Sequence, residues 1–297
     1  MTATIERVKD ETPASESWTL TEPQPKRRPL LPIFCWVVIG ITLVPIFVMI
    51  LYSFNNTPTS RITFNWSGFT LYWYQNLTQV NGIGEAFLVS IEIALLSAVI
   101  SVLVGTPLAM ALERHRFLAR GPLSGIVFAD IAAPSIVVGA ASLSFFLSLN
   151  VATGFTTILL VHVAFNIAYV VVVLRARLSG MGHALEEAAG DLGANPFTAF
   201  LKVTFPLLIP GMLAGGALSL AMSIDDYVIT SFVAGPTVTF PLFVYGAAKV
   251  GLPPQVLCFG TLIFVVGLVV ALLNGVLNRR LTRTRGLVDP TVAPSGE

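Results

Sequence analysis

Asp225 and Asp226 stand side by side inside an apolar stretch running from about Pro206 to Val233, and Tyr227 follows them. A carboxylate at the centre of a bilayer costs about 2.5–3.5 kcal/mol on insertion scales, so such a pair needs a water-filled cavity or a partner group. The chemistry it offers is attraction of a cation, and Tyr227 adds an aromatic face for an ammonium. Neighbouring residues on a helix point about 100° apart, so both acids cannot look squarely down one path. One is expected to line the path while the other makes a structural contact. The alternative is that both are hydrogen-bonded, one of them capping a break in the helix. Glu92, in another apolar stretch, is read as a further buried acid, either near Ser90 and Ser97 or facing the cavity.

Nothing in the chain proposes covalent or hydrolytic chemistry. There is no G-x-x-x-x-G-K-[ST] phosphate loop, no H-E-x-x-H, no C-x-x-C and no G-x-S-x-G. The three histidines are scattered: His115 among loop arginines, His162 in an apolar stretch, where a satisfied core residue is favoured over a pore group, and His183 in a polar loop. Cys35 and Cys258 lie in apolar runs and read as packing residues without metal-ligand spacing. The chain is therefore expected to bind no cofactor of its own and to be no enzyme.

The elements that must position these acids are membrane helices. Of the 297 residues, 55% are hydrophobic and 11% charged, against about 25% charged in a soluble domain. A net charge of +1 gives no reason to expect a nucleic-acid partner. About 20 apolar residues cross a bilayer. Six such spans can be drawn: Leu30 to Phe54, Glu85 to Leu112, Leu123 to Leu149, Phe155 to Leu174, Pro206 to Val233 and Gln255 to Leu277. The expected fold is all-α. Residues 1–29 and 280–297 are expected to be polar tails flanking a six-helix transmembrane domain over 30–279.

Alternate connections are basic: Lys26, Arg27 and Arg28; Arg114, Arg116 and Arg120; Arg175, Arg177 and Lys202; Arg279, Arg280, Arg283 and Arg285. The others carry only Arg61 and Lys249. This asymmetry puts both termini in the cytoplasm. Counted from Pro206 at 1.5 Å per residue, the acidic pair lies about 28 Å along the fifth span, in the outer part of the membrane. The longest outer loop, Asn55 to Gly84, holds Trp66, Tyr72, Trp73 and Tyr74 and reads as an interfacial aromatic belt, with solute docking as the alternative.

The connection between spans four and five, about 183–206, is the most specific stretch. It reads Glu187-Ala188-Ala189-Gly190-Asp191-Leu192-Gly193, then nine residues, then Val203-Thr204-Phe205-Pro206. Glu187, Ala188 and Ala189 favour helix. Gly193 permits a sharp turn, Asn195-Pro196 an extended step, and Pro206 suits a first helical turn. The stretch resembles the E-A-A, three residues, Gly, nine residues, I-x-L-P signature of the permease subunits of ATP-driven (ABC) importers, the binding-protein-dependent inner-membrane transport family. The resemblance spans Leu30 to Asn278 and is greatest to the second permease of spermidine/putrescine importers. It is carried further by Asp225-Asp226-Tyr227 with Ser231-Phe232-Val233-Ala234-Gly235-Pro236, by Tyr52-Ser53-Phe54-Asn55, and by Pro241 to Tyr245.

The resemblance implies a six-span type I importer permease in a bacterial inner membrane. It implies a homologous second permease, two copies of a cytoplasmic ATPase holding ATP and Mg, and an extracytoplasmic solute-binding protein. Glu187, Ala188, Ala189, Gly190, Asp191 and Gly193 would form the short coupling helix that docks on the ATPase. Asp225, Asp226, Tyr227 and Glu92 would belong to the solute path. One departure bears on the solute: the polyamine branch often has Pro-Asp where this chain has Pro134-Ser135, with Asp130 the nearest carboxylate. Relatives of similar architecture move aminoethylphosphonate, ferric iron or thiamine, and a secondary transporter or channel would need no such coupling pattern.

Overall fold

The computed structural model describes residues 30–285 apart from Thr59, Ser60, Phe64 and His183. Leu30, Leu31 and most residues after Val269 are described by their backbone alone. The expected tail 1–29 with its basic cluster, and residues 286–297 of the other tail, lie outside the described residues.

The elements in chain order are α1 (Leu30–Ser53), α2 (Tyr72–Gln75), α3 (Ile83–Arg114), α4 (Arg120–Ala132), α5 (Ser135–Ser148), α6 (Phe155–Ser179), α7 (Ala184–Asp191) and α8 (Pro196–Ala199). A π-helical turn over Phe200–Thr204 then leads into α9 (Phe205–Asp225), followed by α10 (Val228–Val233), α11 (Phe240–Val250) and α12 (Pro254–Arg285). The described residues contain no named strand; Asn55 and Phe69 form one isolated antiparallel bridge in the outer loop.

The chain divides into two units, residues up to Phe47 and residues from Val48 onward. The described part of the first is the leading stretch of α1, with Phe34, Trp36 and Phe47 exposed. The second holds the helix bundle and both candidate sites.

Among the described residues, four helical stretches are long and apolar enough to cross a membrane: Pro32–Ser53, Ile83–Arg114, Phe155–Ser179 and Pro196–Asp225. Span three, expected as one helix, is instead two. Helices α4 and α5 meet at a bend of 111°. The cause is Pro134, which has no N–H to donate and forces the residue before it out of the helical region. Ala133 (ψ 133°) and Pro134 (ψ 131°) are both extended. Span five, drawn through to Val233, stops at Asp225 and restarts as α10 after an extended Asp226 (φ −69°, ψ 114°).

The core is built by α3, α6 and α9. The buried positions of α3, Ser90, Ala94, Ser97, Ser101, Gly105 and Ala109, recur every three or four residues and form a stripe of small side chains. Lipid tails supply no hydrophobic drive between membrane helices, so close backbone approach has to bring them together. Gly105 shows how close: a Cβ there would lie 2.8 Å from Cγ1 of Val170 on α6. Toward the basic ends of these helices, Leu112, Val170, Leu174, Leu178 and Leu208 fill a fully buried cluster.

Candidate functional site

The break in span five is held by Asp226. Its Oδ2 accepts from the Thr230 amide at 2.8 Å and from the Thr230 hydroxyl at 2.8 Å, and its Oδ1 from the Ile229 amide at 3.4 Å. These are the unpaired donors at the start of α10, which a carboxylate satisfies as a cap does. His162 on α6, 1% exposed, completes the group. Its Nε2 is 3.5 Å from Oδ2 of Asp226 and 3.0 Å from the Thr230 hydroxyl, and its Nδ1 is 2.6 Å from the Ser223 hydroxyl. Helices α6, α9 and α10 are thereby joined through one buried polar network, and His162 is satisfied on both ring nitrogens.

Asp225, one residue earlier and still helical, is exposed. It lines a cavity of about 270 Å³ together with Asp130 from α4, Ser135 from α5, Tyr169 from α6, and Tyr227. Both broken spans open onto this cavity. The bend at Pro134 brings Asp130 and Ser135 to one wall, and the break after Asp225 supplies the other. The Tyr227 ring lies tilted against that of Tyr245 on α11, centres 4.4 Å apart, and the Lys249 ammonium lies 4.5 Å from the Tyr245 ring centre. The lining therefore holds three carboxylates, of which Asp226 is engaged by Thr230 and His162 while Asp130 and Asp225 remain for a solute, and with its aromatic faces it suits an organic cation. Side-chain amide and hydroxyl partners, which a neutral solute would use, are few: Ser135 is the one in the lining apart from the tyrosines.

Glu92 is not part of this cavity. It was expected to be buried, near Ser90 or Ser97, but it is exposed on α3. Helical geometry gives the reason: positions 90, 94, 97 and 101 share the inward face, so position 92 points away from it. The two serines serve the core, Ser90 accepting from the Phe240 amide at 2.8 Å and Ser97 from Nδ2 of Asn166 at 3.4 Å.

The signature loop forms a second site at the basic ends of the bundle. Helix α7 carries Glu187, Ala188, Gly190 and Asp191 exposed and Ala189 half-buried. The chain leaves it through Gly193 at φ 83°, a left-handed turn that glycine takes without strain. Asn195 then caps α8, its Oδ1 accepting from the Thr198 amide at 2.8 Å. Large apolar side chains stand out along this loop: Leu185, Leu192 at 90% exposure, and Phe197.

Sequence reasoning did not single out Glu186, Ser223 or Thr230. Glu186 adjoins the signature acid, and the partners of His162 lie 61 and 68 residues away along the chain, so no local pattern announced them.

A bundle of spanning helices, two of them broken around an acid-lined cavity and joined by a short exposed helix at one end, defines a membrane-embedded transport subunit. Residues 102–283 match the family described as binding-protein-dependent transport system inner membrane component. The chain is 36% identical over 254 residues to the spermidine/putrescine transport system permease protein PotC of Shigella flexneri, covering 85% of this chain and 95% of that one. It is 34% identical over 244 residues to the putrescine transport system permease protein PotI of Escherichia coli strain K12, covering 78% and 86%. Among solved structures, a bacterial ABC transporter involved in import of the acidic polysaccharide alginate matches with a TM-score of 0.59 at 18% identity, covering 87% of this chain and 99% of that one. This chain belongs to the binding-protein-dependent transport system inner membrane component family, and it is a transmembrane permease subunit.

Proposed function

We propose that this chain forms half of the translocation pathway of an ATP-driven importer for spermidine, putrescine or a similar small polyamine. The observation that carries the reading is the pair Asp130 and Asp225 facing one cavity. A diamine presents two ammonium groups, and two carboxylates lining one cavity neutralise both. Asp130 takes the place of the acid missing at Ser135. Relatives named for spermidine and putrescine transport support the same solute class.

In this reading six spans cross the inner membrane, α4 with α5 serving as the third and α12 as the sixth, and both termini are cytoplasmic. A second homologous permease closes the pathway. Glu92, exposed on the outward face of α3, faces that partner across the path. Two copies of a cytoplasmic ATPase hold ATP and Mg, and this chain holds neither. An extracytoplasmic binding protein delivers the solute. Helix α7 is the coupling helix, and the exposed Leu185, Leu192 and Phe197 beside Glu187 supply an apolar surface with a charged edge for the ATPase to grip.

Reconstituting the complex and measuring ATP hydrolysis tests the solute. Stimulation by binding protein loaded with spermidine or putrescine is expected. Stimulation by neither amine, with another solute effective, rejects the polyamine assignment.

A further inference from the structure

Arg114 closes α3, with 8% of its side chain exposed. Its Nη2 donates to the carbonyl of Met181, just past the end of α6, at 3.0 Å. The same nitrogen lies 3.6 Å from Oε1 of Glu186 on α7. That oxygen also accepts from the Thr204 hydroxyl at 2.7 Å. Thr204 is 2% exposed and ends the π-helical turn that leads into α9. One carboxylate oxygen is thus the point at which α7 meets α3 and α9, and Arg114 adds the end of α6. These are the three helices that build the core.

Short helices such as α7 have little stability of their own, and α7 buries no residue completely. Its orientation on the bundle must come from specific contacts. Among the contacts described, the Glu186 carboxylate is the one that reaches two spanning helices from inside α7, while Glu187 on the same turn is exposed. A π turn inside a helix is uncommon and concentrates at functional positions; here it carries the residue that Glu186 holds.

We propose that Glu186, with Arg114 and Thr204 as its anchors, is the positioning residue that makes α7 move as one body with α3, α6 and α9. Displacing α7 then displaces the core helices that carry the cavity wall, and removing the joint lets α7 move alone. The inference rests on α7 being the helix that docks on the ATPase, and it assigns the two adjacent glutamates different faces: Glu187 toward the partner, Glu186 toward the bundle.

The test uses the full complex in proteoliposomes and reads solute taken up per ATP hydrolysed. Glu186→Ala and Arg114→Met are expected to lower that ratio about fivefold or more, the lower end of ordinary site-to-site coupling. Glu186→Gln, which keeps an acceptor for Thr204 and Arg114, is expected to retain more of the ratio than Glu186→Ala, and Thr204→Val to lower it in the same direction by less. An unchanged ratio in Glu186→Ala overturns the proposal. So does loss of the ATPase subunit from both Glu186 variants, which would make the group a folding element only. A parallel arm uses Ala188→Cys in a chain whose exposed Cys35 is replaced by serine (Cys35→Ser) and seeks a cross-link to the ATPase. No cross-link overturns the docking reading and the joint with it; a cross-link with an unchanged ratio overturns the joint alone.

Discussion

Asp225 and Asp226 differ by one position along the chain, and the structure gives them opposite consequences on removal. Replacing Asp226 with alanine takes away three accepted hydrogen bonds, two of them at 2.8 Å, and leaves the Thr230 amide and hydroxyl facing a void. Side-chain hydrogen bonds in membrane proteins are worth about 0.6 kcal/mol on average and about 1.7 at most. Removing a helix cap costs about 0.5–2 kcal/mol. Both scales put Asp226→Ala at about 2 kcal/mol of destabilisation, with His162 partly offsetting the loss because its Nε2 remains 3.0 Å from the Thr230 hydroxyl. Asp225→Ala, at an exposed cavity wall, is expected to stay within about 0.5 kcal/mol of wild type. The assay is reversible denaturation of the chain in mixed micelles, followed by helical circular dichroism. A double-mutant cycle with Thr230→Val should return a coupling of about 1 kcal/mol between positions 226 and 230. Equal stability losses for the two aspartates, or a stable Asp226→Ala, would refute the division between a structural and a pathway acid.

Asp225→Asn and Asp130→Asn should each raise the half-saturating concentration for amine uptake about tenfold, the worth of about 1.4 kcal/mol, while leaving the complex assembled; uptake assays with intact complex in vesicles check this, and unchanged values return the pair to a structural role. Gly105→Leu should destabilise the bundle by about 1–3 kcal/mol, because even its first added carbon would lie 2.8 Å from Val170; the same micelle titration measures it. Glu187→Ala and Gly193→Val should separate hydrolysis from transport without preventing membrane insertion, since the first sits on an exposed face and the second forces a branched residue into φ 83°; normal uptake in both counts against a coupling role for α7.

Much of this arrangement could be read from the residues. Apolar length located α1 and α3, and the starts of α6, α9 and α12, to within a few residues, because a helix that satisfies its own backbone is nearly the only open-chain way through lipid; it did not locate the ends of α9 and α12, which fall at Asp225 and Arg285 where Val233 and Leu277 were drawn. The signature spacing placed α7 between the fourth and fifth spans; that α8 and the π turn run on into α9 as one stretch from Pro196 was not read from it. The bend at Pro134 was not legible, although the proline was: Pro45, Pro107 and Pro210 all sit inside continuous helices. What separates Pro134 from them is the backbone around it, extended at both Ala133 and Pro134, which the presence of a proline alone does not announce. The outward placement of Glu92 was available from helical phase relative to Ser90 and Ser97, had the phase been set by the serines rather than by the acid. The inward turn of Glu186 was not, because on an eight-residue helix with two adjacent glutamates only the neighbours Arg114 and Thr204 distinguish them.

Vectorial uptake separates an ATP-driven amine importer, with this chain as one of its two permeases, from a passive pore. Proteoliposomes holding the chain with its second permease and ATPase, and supplied with binding protein outside, are loaded with or without ATP and exposed to labelled putrescine. Accumulation above the external concentration is expected with ATP and none without it. Equal filling of both sets of vesicles, stopping at the external concentration, would contradict it and make the chain a passive channel.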